Sequence, residues 1–175
     1  MAEKKRKGGG GKLSRSEVVT VRFDPKLRWG AELAARKQRR TLSSFIEWAV
    51  EDALSRYMVN TENDYPTSML TASREVWDVD EADRLAKLAL YYPELLNHDE
   101  QVLWKLITET GWLWKGDYGT GGKWTWEIHR DYLMLDRLRE WWPKLIAVMA
   151  GELSRDELPE TNSKKPEPDD EDVPF

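Results

Sequence analysis

One strand-length segment followed directly by two short amphipathic helices constrains this chain more than any other feature. Residues 18–23 read Val18-Val19-Thr20-Val21-Arg22-Phe23. In an extended segment Val19, Val21 and Phe23 share one face, and Val18, Thr20 and Arg22 share the other. Asp24-Pro25 then starts a helix, Asp as the cap and Pro at the first helical position. Leu27, Ala31, Ala34 and Ala35 fall on one face of it, and Arg36-Lys37-Gln38-Arg39-Arg40 ends it in a basic turn. Thr41 is placed to cap a second helix, along which Leu42, Phe45, Ile46, Ala49, Val50, Ala53 and Leu54 form a wide apolar stripe. A lone strand has no partner here, and two short helices enclose too little for a core. Two copies that pair their strands across a two-fold axis solve both problems, so the pattern predicts an intertwined homodimer.

Charge separates this segment from the rest. Residues 1–57 carry 14 Lys/Arg against 7 Asp/Glu, residues 58–155 carry 11 against 17, and residues 156–175 carry 2 against 8. A basic head on an acidic body predicts a polyanion partner for the head alone, although the net charge is −5.

Composition sets the other boundaries. Residues 1–16, with Lys4-Lys5-Arg6-Lys7 and then Gly8 to Gly11, are expected to form a disordered basic arm. Residues 17–57 hold the strand and two helices, and the polar residues 58–70 read as a linker. Residues 71–151 read as a helical domain with helices near 73–92, 99–110 and 130–150. Asn97 or Asp99 would cap the second of these, and a kink or restart is expected at Pro143. A tryptophan-rich hairpin is expected over 112–128, its strands 112–118 and 123–128 joined through Gly119-Thr120-Gly121-Gly122. Trp112 and Trp114 would share one strand face, and Trp124, Trp126 and Ile128 one face of the other. Residues 152–175 are polar and acidic and are expected to be a disordered tail. The fold class is thus mainly α with short β, an α+β chain.

Residues 17–57 resemble the ribbon-helix-helix family of Arc-, MetJ- and CopG-type regulators. The resemblance rests on Val19-Thr20-Val21-Arg22-Phe23, on Asp24-Pro25, and on two helices joined by Arg39-Arg40-Thr41-Leu42-Ser43. One departure stands out: the family often has Gly at the inter-helix turn where this chain has Arg39. The resemblance implies that strands from two subunits form a ribbon in the major groove of duplex DNA. Val18, Thr20 and Arg22 would then face base edges, with Arg22 able to pair with guanine O6 and N7 and Val18 with a thymine methyl. Thr41 and Ser43 would sit beside a phosphate at the N-terminus of the second helix. Lys12, Arg15, Arg39 and Arg40 would add phosphate contacts.

The final residues, Asp169-Asp170-Glu171-Asp172-Val173-Pro174-Phe175, are similar to the acidic tip of bacterial single-stranded-DNA-binding protein (SSB), with Val173 where Ile is usual. As the last residue of the sequence, Phe175 is expected to offer an aromatic ring and an α-carboxylate to one pocket with an apolar floor and a basic rim. Pro174 keeps the segment extended, and the four acids attract basic surfaces. In that family such tips recruit replication, recombination and repair proteins.

Other chemistry finds little support. The chain has no cysteine and two distant histidines, His98 and His129, neither with companions at metal-ligand spacing. Gly119-Thr120-Gly121-Gly122-Lys123 lacks phosphate-loop spacing. The sequence therefore predicts a non-enzymatic protein with no metal or other cofactor and no membrane association, cytoplasmic and nucleoid- or plasmid-associated. The expected function is that of a dimeric, sequence-specific binder of double-stranded DNA in a bacterial or mobile-element system. Its SSB-like tip would recruit replication, recombination or repair proteins. The alternatives are a transcriptional repressor, a relaxosome or partition accessory protein, or an antitoxin, with a tail that is only solubilising or autoinhibitory.

Overall fold

Asp24 opens the first helix, α1 (Pro25–Lys37), as its sequence predicts. Its Oδ1 accepts from the Lys26 and Leu27 amides at 2.7 and 3.0 Å, and Pro25 fills the first helical position. Thr41 caps α2 (Leu42–Arg56), its Oγ1 accepting from the Ser44 amide at 3.1 Å. The structure, a computed structural model, describes residues 18–59, 66–119 and 123–159. The expectations for residues 1–16, for the glycine turn at 120–122 and for residues 160–175 lie outside these. The chain divides into two compact units between Ala49 and Val50.

In the first unit the strand expected over 18–23 is not formed. Residues 18–24 join no ladder among the described residues, and a segment this short does not hold strand geometry without a paired edge. Ala35 is the one buried residue among 18–49, with Ala31, Ala34, Leu42, Phe45 and Ile46 half-buried.

The second unit begins with a correction. The supposed linker at 58–70 holds a short antiparallel ladder of β1 (Met58–Val59) and β2 (Thr67–Ser68), Met58 opposite Ser68 and Val59 opposite Thr67. Val59 is buried in a small cluster with Ala72 and Tyr92, which holds the ladder to the helices that follow. Tyr92 Oη also donates to Glu75 Oε2 at 2.6 Å. The single helix expected near 73–92 is two, α3 (Met69–Val76) and α4 (Glu81–Tyr91). Acidic side chains break it. Asp78 accepts from the Asp80 amide at 3.0 Å, and Asp80 caps α4 through the Ala82 and Asp83 amides at 2.9 and 3.3 Å. Asn97 then caps α5 (His98–Glu109) in a reciprocal capping box with Glu100.

The expected strand at 112–118 is shorter and follows a 3₁₀ turn, Gly111–Leu113. Trp112 lies in that turn, so it shares no strand face with Trp114. Trp114 instead forms a single bridge to Leu133 and is fully buried, its indole Nε1 donating to the Ile107 carbonyl at 2.9 Å. The hairpin proper is β3 (Gly116–Tyr118) against β4 (Trp124–Trp126). On β4, Trp124 and Trp126 are half-buried and Thr125 between them is exposed, as alternation predicts. Ile128 lies beyond β4 and is exposed.

The last helix, α6 (Leu135–Met149), starts later than expected because Leu133 is held in the bridge to Trp114. It continues through Pro143 without a restart. Leu138 and Leu145, one on each side of the proline, are both fully buried, and their packing holds the helical course despite the missing amide. α4, α5 and α6 surround a core of Leu85, Leu103, Ile107, Leu113, Trp114, Leu138 and Leu145. Order also extends past residue 151. Arg155–Glu157 forms a 3₁₀ turn, Arg155 pairs with Glu109 at 2.8 Å, and Leu158 is buried in the same core. Arg139 on α6 holds buried Asp83 on α4 through two hydrogen bonds, at 2.8 and 2.5 Å. This interaction holds the Arg139 guanidinium above its ordinary pKa.

Candidate nucleic-acid interface

The residues expected to meet base edges lie on an open segment. Val18 is 97% exposed, and Thr20 and Arg22 are exposed with it. Arg22 makes no hydrogen bond or ion pair among the described residues, so its guanidinium is available to an outside acceptor. The opposite face is just as open in a single copy: Val19 is 80% and Val21 59% exposed, and Phe23 alone is half-buried. Burying two valines from water is favourable by roughly 1.5–3 kcal/mol each. The uncovered face therefore carries a large unmet driving force.

The turn between α1 and α2 gathers four of the expected phosphate-facing residues, Arg39, Arg40, Thr41 and Ser43. The backbone closes α1 in a Schellman pattern. The Arg39 amide donates to the Arg36 carbonyl at 3.0 Å, and the Arg40 amide reaches back to Ala35 at 2.9 Å. That geometry places Arg39 in the left-handed region, at φ 55°, where its Cβ meets steric resistance that Gly would not. At the start of α2 the Leu42 and Ser43 amides have no acceptor among the described residues, and Ser43 is exposed. Residues 18–49 carry seven Lys/Arg against three Asp/Glu. The turn thus combines open amides, a hydroxyl and two guanidiniums, the donor set an anion needs. No hydrogen bond, ion pair or ring contact joins it to Val18, Thr20 or Arg22. Lys12, Arg15 and 169–175 fall outside the described residues.

A glycine at position 39 would remove the left-handed penalty while adding unfolded-chain entropy. Arg39→Gly is expected to raise stability by ~0.5–1 kcal/mol. If the side chain meets a phosphate, the same change lowers the salt dependence of DNA binding by about one phosphate contact. Thermal melting and a salt titration of duplex binding read the two effects separately.

The sequence reading passed over two tryptophans in this unit. Trp48 lies 5.7 Å from Phe45 and under Arg40 at 5.6 Å, and Trp29 lies under Arg36 at 5.4 Å. Helical spacing was signal enough to place Trp29 and Leu33 together on the side of α1 away from Ala31, Ala34 and Ala35.

In the second unit an open cleft of about 380 Å³ is lined by residues including Lys115, Asp117, Trp126, Glu127 and Tyr132. Its charges are of both signs. Arg137 stacks 3.5 Å over Trp112 and donates to the Trp112 carbonyl at 2.8 Å, so this cation is committed internally. His98 begins α5, and His129 lies beside Asp131 at 3.5 Å and against the Tyr132 ring at 5.7 Å. No helix among the described residues is long and apolar enough to cross a membrane. Compared with known protein families, curated proteins and solved structures, the chain matches none of them.

Proposed function

We propose that this chain is a dimeric, sequence-specific binder of double-stranded DNA that reads the major groove with a two-stranded ribbon from residues 18–23. One observation carries the reading. Among its described residues the first unit buries only Ala35 while it exposes Val19, Val21, Leu27 and Trp48, so on this reading it is half of a core. A second copy supplies both the missing strand and the missing apolar cover. The unengaged Arg22 and the donor-rich turn at 39–43 support DNA as the partner, with base contacts from Val18, Thr20 and Arg22 and phosphate contacts from the turn. Lys12 and Arg15 would add phosphate contacts by charge alone.

A second part of the proposal concerns the acidic end. Residues 169–175 combine four acids with Val173, Pro174 and Phe175. The combination suits a basic-rimmed apolar pocket of the kind that SSB tips occupy. On this reading the protein is an adaptor of a bacterial or mobile-element system that brings replication, recombination or repair proteins to a duplex site. Sedimentation of the full chain at low micromolar concentration tests the first part. A species of about twice 20.5 kDa is expected, and a monomer contradicts it. Capture from a bacterial lysate tests the second. Replication or repair proteins held by the full chain are expected to be released when Phe175 alone is deleted. Identical capture by both forms reduces the tail to a solubilising device and leaves a repressor or accessory DNA-binding protein.

A further inference from the structure

Trp29 and Leu33 lie four residues apart on the side of α1 turned away from buried Ala35. Both stay exposed, Trp29 at 54% and Leu33 at 45%. Neither belongs to the stripe of Leu27, Ala31, Ala34 and Ala35 that faces the expected subunit partner, so dimerisation does not explain them. Cations frame the pair. Arg36 sits 5.4 Å over the Trp29 ring. Lys26 lies one turn before Trp29, Lys37 one turn after Leu33, and neither makes an ion pair among the described residues. Glu32, the one acid of α1, is shared between Arg28 at 3.2 Å and Arg36 at 3.9 Å. The face therefore presents an indole and a leucine side chain within uncompensated positive charge. A complementary ligand has acids next to an apolar anchor.

A second α1 is a poor occupant, because four Lys/Arg against one Glu makes the helix repel its own copy. The sequence holds a segment of the right kind: Asp169-Asp170-Glu171-Asp172 runs directly into Val173-Pro174-Phe175. Sixteen residues follow Pro159, and at ~3.4 Å per extended residue they reach as far as ~50 Å. A segment of that length that spans the gap to α1 would act at an effective concentration on the order of millimolar. We propose that the Trp29/Leu33 face of α1 is a docking site for residues 169–175 of this chain, in which Phe175 or Val173 packs on Trp29 and the acids face Lys26, Arg36 and Lys37. The inference rests on the ribbon-helix-helix reading in one respect, that dimerisation covers the opposite face and leaves this one free. A docked tip is withheld from other proteins until they compete for it.

The test uses a fluorescent peptide of residues 160–175 and the full-length chain as host. The host's own tail is silenced by Asp169→Asn, Asp170→Asn, Glu171→Gln and Asp172→Asn. At low salt the peptide is expected to bind saturably. Its affinity falls at least about tenfold when the host also carries Trp29→Ser and Leu33→Ser, and about as much when the peptide's Phe175 is replaced by Ser. Equal affinity for both hosts, or no binding to either, overturns the proposal. Sedimentation of the same samples guards the interpretation. The Trp29→Ser/Leu33→Ser host is expected to remain a dimer. If it is monomeric, the face belongs to the subunit seam, and if those changes instead dissolve a tetramer, a second dimer is the occupant. Either result overturns the proposal. Duplex binding by the same hosts separates the two readings: peptide docking without DNA binding keeps this site and removes the DNA assignment, and the converse result does the reverse.

Discussion

Replacing Val21 by Asp is expected to leave the chain monomeric and to weaken duplex binding by at least about 100-fold, which corresponds to ~2.7 kcal/mol. Val21 lies at the middle of the apolar face of residues 18–23, and it is 59% exposed in one copy. In the proposed ribbon each subunit places this residue against the other. Symmetry makes the substitution act twice, and an unpaired carboxylate buried in that seam costs several kcal/mol. The second unit has its own core and is expected to keep its helical circular dichroism. Sedimentation and duplex titration of Val21→Asp beside the unaltered chain read the effect. A dimer with duplex affinity within about twofold of the original would show that residues 18–23 do not pair across subunits.

Trp114→Ala is expected to be the most destabilising single change in the second unit, by ~3–5 kcal/mol. Trp114 is fully buried, packs edge-on to Trp104 at 6.0 Å, and donates its indole N–H to the Ile107 carbonyl. Truncation opens a cavity between α5 and α6 and leaves that carbonyl without its indole donor. For a unit of this size the loss amounts to a fall of ~10–20 °C in melting temperature. Trp77→Ala is the control. Trp77 is 63% exposed, with Arg84 5.0 Å over its ring, and its removal is expected to cost ~0.5 kcal/mol or less beyond that stacking. Equal destabilisation by the two changes would contradict a core organised around Trp114.

The contrast between these residues shows what the sequence makes legible. Asp24-Pro25 and the helix start at 97–99 are local devices, written within a few residues. The first forms as read, and of the two caps left open for the second, Asn97 is the one used, in a box with Glu100. The discomfort of a non-glycine at position 39 is equally local, and Arg39 has the left-handed backbone that the missing glycine implied. Long-range choices were not legible. Trp112 to Trp126 alternate like two strands. Yet Trp114 is drawn into the core by Ile107 and Leu133, and that contact converts the preceding residues to a 3₁₀ turn. Pro143 argued for a kink or a restart; there is no restart, and Leu138 and Leu145 are buried on either side of it. Leu158, isolated among polar residues, gave no periodic signal, although it is buried with the core. At 78–80 the signal was present but outweighed: Asp78 and Asp80 could have been read as cap and turn residues, and helical spacing over 73–92 hid them. For the candidate site, the residue types at 18–22 and 39–43 were legible because exposed strand faces and helix caps are pattern features. That Arg22 has no partner among the described residues, and that the Trp29/Leu33 face is exposed, emerge only with the three-dimensional contacts.

The central claim is sequence-specific recognition of duplex DNA by a dimer, and selection of the full-length chain against a random double-stranded library tests it most directly. The predicted result is an enriched sequence with two-fold related half-sites, bound by one dimer, on which Arg22→Ala costs ~1–3 kcal/mol while affinity for unselected DNA is nearly unchanged. No enrichment over successive rounds, or an equal loss on selected and unselected DNA, would contradict base reading by the ribbon and leave at most a non-specific phosphate contact at Arg22.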